Sequence, residues 1–142
     1  MFRVTPWHRD VARSLLKEPK IYFYDSGLVL GDAGARLENA VACMLLKATH
    51  FAQDTQAEGR GLHTIRDKEG HEIDFVLSLD DQLTHLIEVK TSKAAPSAYL
   101  HRMAELFTDA KAVQITHQLR QESEHGRVAI RRAGAWLAAL AA

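Results

Sequence analysis

The feature that most constrains this chain is the stretch from Glu72 to Lys90, where apolar and polar residues alternate. The alternation runs on both sides of the polar group Asp80-Asp81-Gln82. A period of two residues is typical of half-buried β-strands, and a short polar group between two such runs indicates a tight turn. The sequence therefore predicts a β-hairpin. Its apolar positions are Ile73, Phe75, Leu77, Leu79, Leu83, Ile87 and Val89.

The length of the turn decides which polar side chains of the hairpin face each other. A three-residue loop places Asp74 opposite Glu88 and Glu72 opposite Lys90, with Cβ atoms about 4.5–5.5 Å apart. A two-residue loop shifts the parity and sets Asp74 opposite Ile87, which mixes polar and apolar side chains on each face. The alternation favours the three-residue loop, although the glycine usual in turns of that length is missing.

Two carboxylates followed by a lysine suit a magnesium-dependent phosphodiester hydrolase. Asp74 and Glu88 would hold Mg²⁺ or Mn²⁺, because hard cations prefer oxygen ligands. Such a metal lowers the pKa of a bound water and neutralises charge on the phosphate. Lys90 would orient the attacking water or stabilise the developing negative charge. The alternative is an ordinary solvated hairpin face, on which Glu72 and Lys90 form a cross-strand ion pair.

The spacing of these residues resembles the PD-(D/E)XK nuclease superfamily, in which an aspartate precedes a (D/E)-X-K triplet. Here Asp74 is followed, after thirteen residues, by Glu88-Val89-Lys90. Four segments in order also resemble a closer family, the uncharacterised C-terminal domain of certain bacterial and archaeal AAA+ ATPases, itself considered nuclease-like. These segments are Pro19–Leu28, Gly34–Asn39, Glu72–Phe75 and Ile87–Lys90. The chain departs from that family at Thr91-Ser92-Lys93, where a small residue and a glycine are more usual.

The resemblance implies an α/β fold that is restriction-endonuclease-like, with an αβββαβ core and a mixed central β-sheet flanked by helices. The element order indicated by the residues agrees with it: a helix, three meandering strands, a helix and a strand. The resemblance also implies metal-dependent DNA cleavage, with Asp74 and Glu88 as metal ligands, Lys90 as catalytic residue and Glu38 assisting. Helices on both faces would explain why Val76 and Leu86, on the polar face of the hairpin, are apolar.

Glu38 lies near the start of a predicted helix over residues 34–50. The apolar stripe of that helix includes Leu37, Val41 and Leu45, and Glu38 stands about 100° from Leu37 around the axis. Glu38 can therefore reach inward at the rim of a core. The alternative is a first-turn acid that the helix dipole favours.

Further elements are predicted from apolar periodicity and turn residues. They are strands at residues 21–24, 62–67, 112–116 and 128–131, helices at residues 99–107 and 135–140, and a loop at residues 52–61.

Two parts of the chain are distinguished. Residues 1–18 read as a lead-in segment, the remnant of a connection to an upstream domain, and residues 19–142 as the nuclease-like domain. A short helix is predicted around Val11 and Leu15, ending before Pro19. The alternatives for this segment are a solvated helix and a basic arm over phosphates. A G-x-x-x-x-G-K-[ST] motif is absent from the sequence, so we expect this chain to bind no ATP by that route.

Composition limits the partners. The 18 basic and 18 acidic residues give a net charge of zero, so contact with DNA is expected to be local or weak. The single Cys43 fits a reducing compartment, and no apolar run reaches the roughly 18–20 residues of a membrane span. The prediction is a cytoplasmic protein without membrane contact. The aromatic strand Ile21–Tyr24 would leave apolar surface that a homodimer could cover.

Two classes of function follow from the sequence. One is a Mg²⁺-dependent phosphodiesterase acting on DNA, and the intact acid–acid–lysine set favours it. The other is a nuclease-like fold that has become a binding or oligomerisation module, which the neutral net charge and the missing ATPase motif favour.

Overall fold

The computed structural model describes residues 1–7, 18–25, 31–56 and 59–141. Within these residues the chain forms eight strands and three helices. The strands are β1 (Phe2–Pro6), β2 (Lys20–Tyr22), β3 (Arg60–Arg66), β4 (Glu72–Leu79), β5 (Gln82–Ser92), β6 (Lys111–Gln118), β7 (Ser123–His125) and β8 (Val128–Arg132). The helices are α1 (Ala33–Gln56), α2 (Ala98–Leu106) and α3 (Ala133–Ala141).

All eight described strands join one mixed sheet in the order β2-β1-β3-β4-β5-β6-β8-β7. The pairs β1–β3, β5–β6 and β6–β8 are parallel, whereas the other neighbours are antiparallel. This confirms the predicted α/β class with a mixed sheet. None of the helices in the described part of the chain is long and apolar enough to cross a membrane.

The helices cover both faces of the sheet. Helices α1 and α3 bury Leu45 and Leu137 in one hydrophobic cluster with Ile87 of β5. Helix α2 buries Leu100 in a second cluster with Val76 and Leu86. Successive side chains of a strand point to opposite faces, so each central strand feeds both clusters. The prediction that a second helical layer makes Val76 and Leu86 apolar is confirmed.

The central hairpin has the predicted register but a different turn. Phe75 pairs with Ile87 and Leu77 pairs with His85, as expected, yet the strands continue to a two-residue turn at Asp80-Asp81. Both turn residues have positive φ, 50° and 66°, as a type I′ hairpin turn requires. The predicted three-residue loop is therefore wrong.

A β-bulge reconciles the short turn with the predicted pairing. Ser78 pairs with Leu83 and Leu77 with His85, so Thr84 is an extra residue on β5. One extra residue restores the parity that the two-residue turn would otherwise shift.

The first strand is an addition that sequence reasoning missed. Phe2 and Val4 are buried in the cluster beneath α1, and β1 lies parallel to β3 through the pair Thr5 and His63. The segment interpreted as a lead-in thus contributes a strand to the sheet. The short helix predicted around Val11 lies outside the described residues.

The remaining predicted elements are confirmed with shifted ends, apart from one loop. Helix α1 continues to Gln56 and strand β3 begins at Arg60, so the loop predicted over residues 52–61 is wrong at both ends. Strand β7 was not predicted; its three residues are all exposed, which leaves no apolar alternation to detect.

Candidate functional site

Three carboxylates converge where α1 passes the start of β4. Glu38 comes from the second turn of α1, and Glu72 and Asp74 are alternate residues of β4. One oxygen of each lies within 4.8 Å of the others. We call Glu38, Glu72 and Asp74 the acidic cluster.

Lys20 of strand β2 supplies a cation to the acidic cluster. Its Nζ donates to Glu38 Oε2 at 3.1 Å and also to Glu72 Oε1. Burial opposes the charge on Lys20, but Glu38 and Glu72 raise its pKa, so the ammonium is retained. Tyr22, two residues further along β2, donates its hydroxyl to Glu38 Oε2 at 2.8 Å. Its pKa is raised, first by burial and then by the charge of Glu38.

Asp74 is bonded to the neighbouring strand and has a raised pKa. Its Oδ2 accepts from the backbone N–H of Val89 on β5 at 2.8 Å. Burial raises its pKa to about 7, the charge of Glu38 adds to that rise, and the bond from Val89 and the charge of Lys20 oppose it. Asp74 therefore exchanges a proton close to neutral pH.

Glu88 contacts the N-terminus of α2 and not the acidic cluster. Its side chain is only 6% exposed, and its two oxygens accept from Ser97, at 2.6 Å from Oγ and 3.2 Å from the backbone nitrogen. Ser97 is the N-cap of α2. Lys90 Nζ lies 4.0 Å from Glu88 Oε1, and its side chain is 41% exposed. Glu88 thus turns towards α2 and is not one of the carboxylates of the acidic cluster.

A bulge at the start of β4 accounts for this separation. His63 pairs with Val76 and Ile65 with Ile73, so Asp74 and Phe75 together lie opposite a single residue of β3. A bulge re-aims the side chains next to it. Ile73 accordingly joins the cluster under α2, whereas Phe75 joins the cluster under α1.

The predicted site residues therefore fall into two groups. The structure brings Asp74 and Glu38 together and sets Glu88 beside Lys90. Glu72, which the alternative of a solvated hairpin face paired with Lys90, bonds instead to Lys20. The two groups meet at Val89, whose N–H bonds to Asp74.

Sequence reasoning missed Lys20 and Tyr22. They are alternate residues of a short strand, which is the signal that places both on one face. What the sequence does not reveal is that β2 sits beyond β1 at the end of the sheet near Glu38.

Two buried polar groups without a partner lie beside Glu88 and Lys90. Gln114 and Thr116 are their neighbours on β6, and both are 0% exposed. Gln114 Oε1 and Thr116 Oγ1 have no hydrogen-bond partner among the described atoms. Buried polar atoms are normally satisfied, so this side of the site has spare hydrogen-bonding capacity.

The donor chemistry of the acidic cluster fits a hard divalent cation. All three candidate ligands are carboxylates, which is the ligand type that Mg²⁺ and Mn²⁺ prefer. Three acids against the single ammonium of Lys20 also leave surplus negative charge once Asp74 is ionised.

Fold and site together define a mixed α/β domain that carries a carboxylate cluster at one end of its central hairpin. Residues 33–133 match the sequence profile of a domain of unknown function, DUF4143, and this range is more than half of the chain. The chain therefore belongs to the DUF4143 family. The matched range includes Glu38, Asp74, Glu88 and Lys90 but not Lys20. No curated protein and no solved structure matches the chain.

Proposed function

We propose that this chain is a divalent-cation-dependent phosphodiester hydrolase of the PD-(D/E)XK type, with a restriction-endonuclease-like core, that contacts DNA locally. The observation that carries this proposal is the convergence of Glu38, Glu72 and Asp74 within 4.8 Å. Lys20 balances part of this charge, but with Asp74 ionised the three acids keep a surplus of negative charge that a divalent cation would neutralise. The sequence resemblance to nuclease-like domains that follow AAA+ ATPases supports the same proposal.

In this proposal the acidic cluster holds Mg²⁺ or Mn²⁺. Such an ion would supply charge neutralisation at the phosphate and activation of water. Asp74 and Glu38 are the primary ligands, since Asp74 is fixed by Val89 and Glu38 by Tyr22. Glu72 completes the set. These roles differ from the sequence-based prediction, in which Asp74 and Glu88 were the ligands and Glu38 assisted. Here Glu38 and Glu72 join Asp74 as ligands, and Glu88 positions Lys90.

The two lysines have separate roles. Lys20 keeps its proton and lies inside the acidic cluster, so it balances the charge of Glu38 and Glu72 before a phosphate arrives. Lys90 is more exposed and lies beside Glu88. A flexible ammonium in that position can contact a phosphate oxygen and stabilise the negative charge that develops during cleavage.

A second candidate function is a nuclease-like fold that serves as a binding or oligomerisation module. The specific observation in its favour is Lys20, whose ammonium already pairs with two of the three acids. Ile21 and Tyr24 beside it are 51% and 67% exposed and offer apolar surface to a partner, including a second copy of this chain.

The test combines metal binding with cleavage. Mg²⁺ should raise the melting temperature of the wild type by mass action, and Asp74→Asn and Glu38→Gln should abolish that rise. Glu88→Gln should retain it, because Glu88 lies outside the acidic cluster. Glu105→Gln, which changes an exposed acid of α2, is the matched control and should behave like the wild type.

Cleavage is measured on supercoiled plasmid and on single-stranded DNA with Mg²⁺ or Mn²⁺. Lys90→Ala should reduce the rate by about 10²–10³ while keeping the metal-induced stabilisation. Metal binding without any cleavage would support the silent module. A wild type that neither binds metal nor cleaves DNA would refute the hydrolase.

A further inference from the structure

A cavity of about 330 Å³ lies between α3 and the ends of β5, β6 and β8, at the opposite end of the hairpin from the acidic cluster. Its polar lining includes His85 and Lys111. Its apolar walls include Val113, Ala129, Trp136 and Leu140. Small-molecule sites are typically cavities of about 300–1,000 Å³ with apolar walls and a few placed polar groups. Nothing in the proposed hydrolase uses this cavity.

His85 and Lys111 are fixed side by side by the sheet. They are register partners on the parallel strands β5 and β6. His85 is two residues before Ile87 and Lys111 two residues before Val113, and both of these apolar residues pack in the cluster beneath α1 and α3. Alternation therefore turns His85 and Lys111 towards the same face, where α3 forms the wall of the cavity.

Thr84 holds the ring of His85. Its Oγ1 lies 3.2 Å from the carbonyl of Leu77, to which it donates, and 2.9 Å from His85 Nδ1. In this arrangement the hydroxyl proton points to Leu77 and Nδ1 is the donor to Thr84. The lone pair then resides on Nε2, which can accept a hydrogen bond. Burial and the nearby cations Lys111 and Arg60 lower the pKa of His85 to about 4, so the ring is neutral.

Two further features of the cavity indicate which class of ligand would bind there. Among the described residues, Nζ of Lys111 makes no hydrogen bond or ion pair, so the ammonium can pair with an anion. Trp136 meets the His85 ring edge-on, with the ring centroids 6.0 Å apart, and presents an aromatic wall. Cationic surroundings and an aromatic wall favour a flat, negatively charged molecule.

We propose that this cavity binds a small aromatic carboxylate. The carboxylate pairs with Lys111, the ring packs against Trp136, and a hydroxyl or amine on the ring donates to Nε2 of His85.

The probe for this site is 4-hydroxybenzoate, and its matched control is the neutral 4-hydroxybenzamide. Binding is followed at pH 7 by the ¹⁵N–¹H signal of the Trp136 indole and by the ring ¹⁵N signals of His85 in NMR. We expect saturable shifts of both, because the ligand contacts the Trp136 ring and donates to Nε2 of His85.

Three variants test the assigned contacts. Lys111→Met, which keeps the length of the side chain and removes the charge, should weaken binding of 4-hydroxybenzoate by about five- to tenfold. Ala139→Trp places a large ring in the cavity wall and should abolish binding. Ala138→Trp adds the same ring at an exposed position outside the lining and should bind like the wild type.

The possible outcomes separate the proposal from its alternatives. The absence of a saturable shift at about 5 mM probe would overturn the proposal, since a Kd above that concentration means negligible affinity. Equal binding of 4-hydroxybenzamide would overturn the anion selectivity, as would inorganic phosphate displacing the probe with the same affinity. Equal weakening by Ala138→Trp and Ala139→Trp, with the melting temperatures of both variants unchanged, would refute the cavity as the site, because a ring outside the lining would then matter as much as one inside it.

Discussion

At the scale of single residues, the pKa values of Asp74 and His85 are shifted in opposite directions. The pKa of Asp74 is raised to about 7 by burial and by Glu38, whereas the pKa of His85 is lowered to about 4 by burial and by Lys111 and Arg60. Burial favours the neutral form in both cases. The free energy of unfolding should therefore fall with rising pH because of Asp74, and fall with decreasing pH because of His85.

Asp74→Asn is expected to stabilise the metal-free protein at alkaline pH. Because the folded-state pKa exceeds the ordinary value of 3.8, the stabilising contribution of Asp74 is complete below about pH 4 and is lost as the pH rises through 7. The gain in the free energy of unfolding for Asp74→Asn should be on the order of 2–3 kcal/mol larger at pH 8 than at pH 5. Urea unfolding with EDTA at both pH values measures this, and equal effects at both would contradict it.

His85→Gln is expected to protect against acid. The folded-state pKa lies below 6.5, so the contribution of His85 is complete above pH 6.5 and is lost as the pH falls through 4. Gln offers an amide N–H to Thr84 and does not titrate. Between pH 7 and pH 4 the variant should lose roughly 1–3 kcal/mol less stability than the wild type, after allowance for partial solvent exposure. Parallel pH profiles from thermal unfolding would show that His85 is not the titrating group.

At the scale of elements, the central hairpin is where sequence reasoning succeeded and where it stopped. Alternation over Glu72–Lys90 was enough to predict both strands and the pairing of Phe75 with Ile87. It could not reveal the bulges at Thr84 and at Asp74, because a bulge leaves the apolar pattern almost unchanged while it turns a side chain to another face. The separation of Asp74 from Glu88 follows from that hidden feature.

The hairpin turn should tolerate glycine and reject branched residues. Asp81 has a φ of 66°, a conformation that strains a β-branched side chain. Asp81→Val should cost about 1–2 kcal/mol of the free energy of unfolding, whereas Asp81→Gly should be neutral or stabilising. Chemical denaturation of the two variants side by side makes the comparison, and an equal loss in both would point to the Asp81 side chain and not to the backbone.

Ser97 joins helix α2 to the hairpin through Glu88. Its Oγ accepts from the backbone nitrogen of Leu100 at 3.1 Å and donates to Glu88 at 2.6 Å. Ser97→Ala removes the cap and leaves a buried carboxylate with one donor fewer, so a loss of about 2–4 kcal/mol is expected. Ser97→Thr keeps the hydroxyl and should cost much less. If both variants lose the same stability, neither bond of the hydroxyl contributes measurably.

At the scale of the whole molecule, the sheet joins distant parts of the chain. Lys20 reaches the acidic cluster only because β2 pairs with β1, and β1 in turn pairs with β3. Such pairings lie far apart in sequence, and a single sequence carries no signal for them. A local signal for β1 is present in the alternation of Phe2 and Val4. The segment was interpreted as a lead-in because of its short predicted helix and the resemblance to domains that follow an ATPase domain.

Val4→Ala tests whether β1 belongs to the cooperative unit. Val4 is 1% exposed and packs in the cluster beneath α1. Removing two methyl groups from such a site should cost roughly 2 kcal/mol and keep a single unfolding transition. Arg3→Ala, an exposed change on the same strand, should be nearly neutral. An unchanged melting curve for Val4→Ala would show that β1 can detach without unfolding the rest.

The parallel pairing of β1 with β3 also affects the order in which parts of the protein fold. The contact between Thr5 and His63 closes a loop of more than fifty residues, and parallel pairing at such a distance contributes high contact order. The hairpin of β4 and β5, by contrast, needs only its two-residue turn. During synthesis the first strand leaves the ribosome without its partner and must wait for β3. The acidic cluster, which depends on β2 beside β1, is therefore expected to form after the hairpin, and the carboxylates of β4 should be exposed to solvent before Lys20 reaches them.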